Sequence, residues 1–146
     1  MMRKARTSAE HGYKLDEQIG FLLRKAYQRN STIFADLVPG KLTPTQFSVM
    51  HRLAEEGPMS QNQLGRSVAM DGATTKGVVD RLIARDLLTT NPDPDDRRRH
   101  LVSLTDQGIL LVDDATQSAI RISAETLAPL RERERETLLR LLAKIA

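Results

Sequence analysis

Apolar residues return at helical spacing along most of this chain, and one hairpin interrupts the pattern. From Leu15 to about Leu37 they fall at Leu15, Ile19, Leu22, Leu23, Ala26, Ile33, Phe34 and Leu37, the three-and-four spacing of an amphipathic helix. Tyr27 and Asn30 lie inside that stripe, and Phe21 lies off it, as in a helix with a second face to bury. Val38-Pro39-Gly40 ends the helix. Thr43-Pro44-Thr45-Gln46 then supplies an N-cap, a proline at the first helical position and a glutamine at the third. The helix it starts carries Phe47, Met50, Leu53 and Ala54 and stops at Gly57-Pro58.

Ser60-Gln61-Asn62-Gln63 repeats the capping signature, with Leu64 and Val68 facing inward. Asp71 caps a longer helix from Gly72 to about Arg85. Thr75, Val78, Val79 and Leu82 share its buried side. Ala73, Gly77, Asp80 and Ala84 lie opposite, flanked by Thr74, Lys76 and Arg81. Small outward residues permit close approach to something large, and the flanking Thr and Lys have the reach for base edges or phosphates. Leu87 to Thr90 and Leu101 to Leu104 pair as strands around Asn91 to His100, a turn rich in Pro and Asp that ends in Arg97, Arg98 and Arg99. Helix, turn, longer helix, strand, charged hairpin, strand is the order of a winged helix-turn-helix. Arginines at a hairpin tip suit a narrow minor groove, where the negative potential is enhanced.

Past the hairpin, Thr105 with Asp106 caps a long helix holding Ile109, Leu110, Val112, Ala115, Ala119, Ile120 and Ile122. Pro129 marks a break and the expected start of a last helix. There Arg131 to Glu136 alternates in sign, a solvated face, and Leu138, Leu139, Leu141, Leu142 and Ile145 follow. Those last residues are too apolar to stay exposed and predict pairing with another chain. The expected organisation is a flexible basic arm over 1–14 (Arg3, Lys4, Arg6, Lys14) and one domain over 15–146. Within that domain, 15–42 and 105–146 are dimerisation helices and 43–104 is the winged helix-turn-helix lobe. The fold class is mainly α with a small β-wing.

Composition narrows the chemistry. The 146 residues are 40% hydrophobic, enough for one real core, and the net charge of +3 permits nucleic-acid binding without proving it. The lobe is nearly neutral, so a DNA surface has to come from placing its basic groups outward and its acids elsewhere. The absence of cysteine excludes disulfides, thiolate catalysis, thiolate sensing and Cys-ligated zinc. No apolar run reaches the ~18 residues of a membrane span, and no signal-peptide core opens the chain, so a soluble, cytoplasmic protein is expected. His11, His51 and His100 stand far apart, with no nucleophile–base pattern, no phosphate-cradling glycine loop and no metal-ligand spacing. No catalytic residue, metal or cofactor is expected.

The chain resembles the MarR family of transcription factors over nearly its whole length. The most specific parts are Met70-Asp71-Gly72-Ala73-Thr74-Thr75-Lys76, the wing Asp96-Arg97-Arg98, and Leu101-Val102-Ser103-Leu104-Thr105 with Gly108 beyond. The resemblance implies a triangular homodimer whose first, fifth and sixth helices interlock, each subunit offering its winged helix-turn-helix to half of a palindromic operator. It implies an Arg98 in the minor groove and an Asp96 that holds the wing's basic group in position. Ala73 and Thr74 match the family's recognition helix, whereas Lys76-Gly77 stands where many members have Thr-Arg. Arg81, Arg97 and Arg99 complete the expected DNA-binding set.

The same resemblance implies a repressor released by a small organic effector, an aromatic acid or its coenzyme A thioester. The expected lining is Tyr27 and Asn30 on the first long helix and Phe47, Met50 and His51 on the second. Arg24 or Arg29 is the expected partner of a carboxylate or phosphate. The competing reading is a winged-helix module that binds protein and not DNA.

Overall fold

The computed structural model describes residues 1–146. The chain runs α1 (Ser8–His11), α2 (Ile19–Leu37), α3 (Pro44–Glu56), α4 (Gln61–Ser67), α5 (Gly72–Ala84), β1 (Leu88–Pro92), β2 (His100–Leu104), α6 (Asp106–Thr126) and α7 (Glu132–Ile145). No helix is long and apolar enough to cross a membrane.

Local chemistry sets most of these boundaries. The side chains of Thr43, Ser60, Asp71 and Thr105 each accept the backbone N–H three residues on, at Gln46, Gln63, Thr74 and Gly108. Each cap satisfies a donor that the first helical turn leaves without a partner. Gly57, with φ of 82°, closes α3 in a conformation only glycine takes readily. β1 and β2 pair antiparallel from Leu88 opposite Leu104 to Pro92 opposite His100, and Met59 adds a bridge to Val102.

Three boundaries differ from the sequence expectation. The basic arm is not wholly irregular: α1 forms one turn at Ser8–His11, closed by Gly12 in the left-handed region, although every residue in it is exposed. Glu10 lets it form by accepting the backbone N–H of Thr7, a bond that needs no core. The first long helix begins at Ile19, because Leu15–Glu17 winds as a 3₁₀ turn. Pro129 does not start the last helix. It sits in a turn closed by the Leu130 N–H on the Leu127 carbonyl, and α7 begins three residues later, capped by Arg131 and Glu134.

The core belongs to the lobe. Val49, Met50 and Leu53 of α3, Leu64 of α4, Val78, Val79 and Leu82 of α5, and Leu88 and Val102 of the wing are each at most 4% exposed. Val112 and Ala115 of α6 close it from above. Each fully buried aliphatic side chain contributes about 1.5–3 kcal/mol. Two glycines allow the close approaches on which this packing depends. A Cβ at Gly65 of α4 would lie 2.7 Å from Thr75 Oγ1, so α4 and α5 meet almost backbone to side chain. At Gly108 it would lie 2.1 Å from the Leu87 carbonyl oxygen, which also accepts the Thr105 N–H at 3.1 Å. That contact locks α6 onto the base of the wing.

Outside the lobe the packing is thin. α2 buries only Phe34, and α7 buries nothing. Leu15, Ile19, Leu22, Leu23 and Tyr27 near α2, Ile120 on α6, and Leu139, Leu141 and Ile145 on α7 are all more than 40% exposed.

Candidate nucleic-acid interface and effector cleft

α5 turns Thr75, Val78, Val79 and Leu82 into the core, which leaves Ala73, Thr74, Lys76, Asp80 and Arg81 on the outside, with Gly77 half-buried. Thr75 is fixed by its own hydroxyl, which donates to the Asp71 carbonyl at 2.7 Å. The Asp71 carboxylate accepts the Thr74 N–H at 2.7 Å, and this bond to the backbone holds its pKa below the usual aspartate value. The helix therefore begins rigidly at the end where Ala73 and Thr74 are displayed.

The wing is ordered by a residue that sequence reasoning missed. Asp93, 6% exposed, accepts Arg99 Nε at 3.2 Å and the Asp95 N–H at 2.9 Å, while its own N–H donates to the Arg99 carbonyl at 2.7 Å. Asp96 acts on the backbone: its carboxylate accepts the Arg98 N–H at 3.1 Å. The expected clasp on a wing guanidinium thus exists, but Asp93 makes it, and it holds Arg99. The three wing arginines are unequal as a result.

The same test sorts the other cations. Lys76 is paired with Asp80 at 2.7 Å, and Arg85 donates to the Gly40 carbonyl. Arg66, Arg81, Arg97 and Arg98 have no carboxylate within ion-pair distance. Arg98 and Arg66 share a polar cleft of about 460 Å³ with Ser60 to Gln63, Arg99 and His100, without an apolar residue in its lining. Arg66 belongs to this surface and was not expected from sequence. Its signal was its place on the outer side of α4, two residues beyond the buried Leu64.

The expected effector residues separate into two groups. Phe47 and His51 line a cleft of about 320 Å³ with Ser48, Arg52, Glu55, Ser67 and Val68, between α3 and the end of α4. The Phe47 and His51 rings stack with centroids 5.5 Å apart, and Phe34 tilts against Phe47 at 6.2 Å. His51 Nδ1 lies 3.2 Å from Thr116 Oγ1 of α6. That hydroxyl donates to the Val112 carbonyl, so its oxygen accepts from the imidazole N–H. His51 Nε2 lies 2.9 Å from Glu55 Oε1.

The remaining candidates sit elsewhere. Met50 is wholly buried in the core and does not line the cleft. Arg29 donates to the Glu125 and Thr126 carbonyls at 2.8 and 3.2 Å, and Asn30 to Thr126 Oγ1 at 3.0 Å, so both finish the end of α6 and neither faces this cleft. Arg24 lies over the Phe21 ring in a separate apolar hollow, and Tyr27 is 60% exposed. The basic group beside the aromatic pair is Arg52, which the sequence reading passed over.

A core-anchored helix presented beside a two-stranded wing with exposed arginines at its tip defines a winged helix-turn-helix DNA-binding protein. Residues 42–100 match the MarR family. The transcriptional repressor NicR of Pseudomonas putida is 42% identical over 134 residues, covering 91% of this chain and 85% of NicR. A probable transcriptional regulator from Pseudomonas aeruginosa is 50% identical with a TM-score of 0.87, over 91% of this chain and all of that one. BpsR of Bordetella bronchiseptica, whose DNA binding is regulated by 6-hydroxynicotinic acid, is 42% identical with a TM-score of 0.86, over 91% and 96% of the two chains. The chain belongs to the MarR family. It is a DNA-binding transcriptional regulator and not an enzyme.

Proposed function

We propose that the protein is a homodimeric repressor that holds a palindromic operator through α5 and the wing and releases it when an aromatic carboxylic acid fills the cleft at Phe47, His51 and Arg52. The observation that carries this reading is the composition of that cleft: the stacked rings of Phe47 and His51 beside one guanidinium, that of Arg52. An aromatic ring has a face to stack on, and a carboxylate would take Arg52, in charge-assisted hydrogen bonds, from Glu55 and Glu56, which pair it at 3.9 and 3.5 Å on the exposed side of α3. The similarity to NicR, a repressor, and to BpsR, regulated by a hydroxylated nicotinic acid, supports the same class. The free acid suits the site better than a coenzyme A thioester, because thioester formation removes the carboxylate charge that Arg52 would pair.

The cleft also suggests a route for release. Ser67 and Val68 form one wall, so a bound ring bears on the end of α4, which carries α5 through the tight Gly65–Thr75 contact. Differential affinity of a few kcal/mol between free and DNA-bound shapes lowers DNA affinity a hundredfold or more, and the effect is reciprocal. The apolar surface that α2, α6 and α7 leave uncovered supports the homodimer.

Calorimetric titration of 6-hydroxynicotinic acid against free and operator-bound protein tests the reading. Weaker binding to the complex, lost in Arg52→Ala, is the expected result. Equal affinity in the two states would rule out this form of release, and no binding by any aromatic acid would remove the effector class.

A further inference from the structure

The outward face of α5 carries two cations, and only one of them is free. Lys76 Nζ is held 2.7 Å from Asp80 Oδ2 on the next turn. The Arg81 guanidinium instead lies against the bare backbone of Gly77. A Cβ built at Gly77 would stand 3.4 Å from Arg81 Nη1, 3.5 Å from Nη2 and 3.7 Å from Cζ. This placement follows from helix geometry, since side chains lean toward the N-terminus and cover the residue four positions earlier.

Seating the guanidinium in this way requires a small residue at position 77, glycine or alanine. The distances show what it provides. A methyl group would just fit under the guanidinium in ordinary contact, and a longer side chain would compete for the same space. Ala73, one turn earlier, continues the low surface, so the helix can approach a groove closely with the planar fork lying at its floor. A guanidinium so held presents two parallel N–H donors, the geometry that guanine O6 and N7 accept in the major groove.

We propose that Arg81 reads a guanine in each operator half-site and that Gly77 is the specificity determinant that seats it. This rests on the docking of α5 in the major groove proposed above. Arg81 therefore supplies from one turn further along the guanidinium that position 77 itself lacks.

Selection from a random duplex pool tests the pair, with the full-length wild type, Arg81→Ala, Arg81→Lys, Gly77→Ala and Gly77→Leu compared on the recovered sequence. Wild type and Gly77→Ala are expected to fix a guanine at one position of each half-site. Arg81→Ala and Gly77→Leu are expected to lose that preference, keep the preferences elsewhere, and bind the selected duplex about 10- to 100-fold more weakly. Arg81→Lys keeps the charge but not the fork, so it should retain general affinity without the guanine. Melting curves confirm that each variant is folded, and the double variant Gly77→Leu/Arg81→Ala should bind no more weakly than Arg81→Ala alone. Uniform weakening of Arg81→Ala on every sequence would make Arg81 a phosphate contact and overturn the proposal while leaving the docking intact. A guanine preference that survives Gly77→Leu would also overturn it. A wild type that enriches no sequence at all would remove the docking and the proposal together.

Discussion

α5 and α7 are both short amphipathic helices of similar length, and they end in opposite states. On α5 the apolar side is closed by α3, α4 and the wing, with Val78, Val79 and Leu82 at most 3% exposed. On α7 no residue is buried, and Leu139, Leu141 and Ile145 are 47% to 67% exposed. Helices of this size gain most of their stability from packing and little from propensity. The lobe is therefore complete within one chain, and the helical arms complete their packing only against something else. A second copy is the occupant that closed symmetry makes simplest.

The sharpest way to break this contrast is to charge the unsatisfied face. Leu141→Glu with Ile145→Glu, one turn apart on the exposed side, should abolish dimerisation, raising the dissociation constant by a hundredfold or more as measured by sedimentation equilibrium. The lobe's secondary structure should survive, because neither residue lies in its core. A variant that stayed dimeric would mean that α7 is not the interface.

The joint between the two regions gives the next largest effect. Gly108→Ala forces a methyl into a space where the Leu87 carbonyl oxygen stands 2.1 Å away, and a backbone atom cannot rotate aside as a flexible side chain would. A loss of about 3 kcal/mol is expected, the upper end of the overpacking range, read as a lower denaturation midpoint. Unchanged stability would show that α6 is not locked to the wing as tightly as this contact implies.

These two sites also show what the sequence made legible. Four caps that bind their own next turn were readable, because Thr43, Ser60, Asp71 and Thr105 act within three residues, whereas the equally local bonds of Glu10 to the Thr7 N–H and of Glu134 to the Arg131 N–H were passed over. The buried side of α5 was readable from spacing alone. Long-range partners were not. Asn30 in an apolar stripe looked like a ligand contact, but its partner Thr126 lies 96 residues away. Among Asp93, Asp95 and Asp96 nothing in composition distinguishes the one that the fold buries. Arg52 of α3 was overlooked beside Arg24 and Arg29 of α2 because sequence does not show which arginine the fold sets beside Phe47 and His51. Pro129 was read as a first helical residue, whereas the Arg131–Glu134 box outcompetes it as the start.

If the lobe is self-contained, its exposed cations should matter for DNA and not for folding. Arg98→Ala is expected to weaken operator binding by about 1–3 kcal/mol in a gel-shift titration and to leave the melting curve and the dimer unchanged. Asp93→Ala should do more, since it releases Arg99 and the turn that Arg98 sits on. An Arg98→Ala variant with full DNA affinity would place the wing outside the interface.

The smallest effect tests the start of α5 by pH. The Thr74 N–H lowers the folded-state pKa of Asp71 below its ordinary value of about 3.9, so the charged carboxylate is the form that stabilises the folded lobe. That contribution is complete above the ordinary value and is lost as pH falls through the lowered one. At neutral pH it is fully present, and because Asp71 is exposed, solvent and salt keep it modest. Asp71→Asn keeps a good capping side chain that does not titrate. The melting temperature of the wild type should therefore fall toward that of Asp71→Asn as the solution is acidified below about pH 4, with the gap between them constant at higher pH. Glu10 and Glu134 are lowered by the same kind of backbone bond, in α1 and α7, but they are common to both proteins and cancel in the difference. A gap that did not change with pH would mean that the Asp71 charge does nothing for the lobe beyond what a neutral cap does. The rigidity of the displayed end of α5 would then come from the buried Thr75 and the Gly65 contact beneath it.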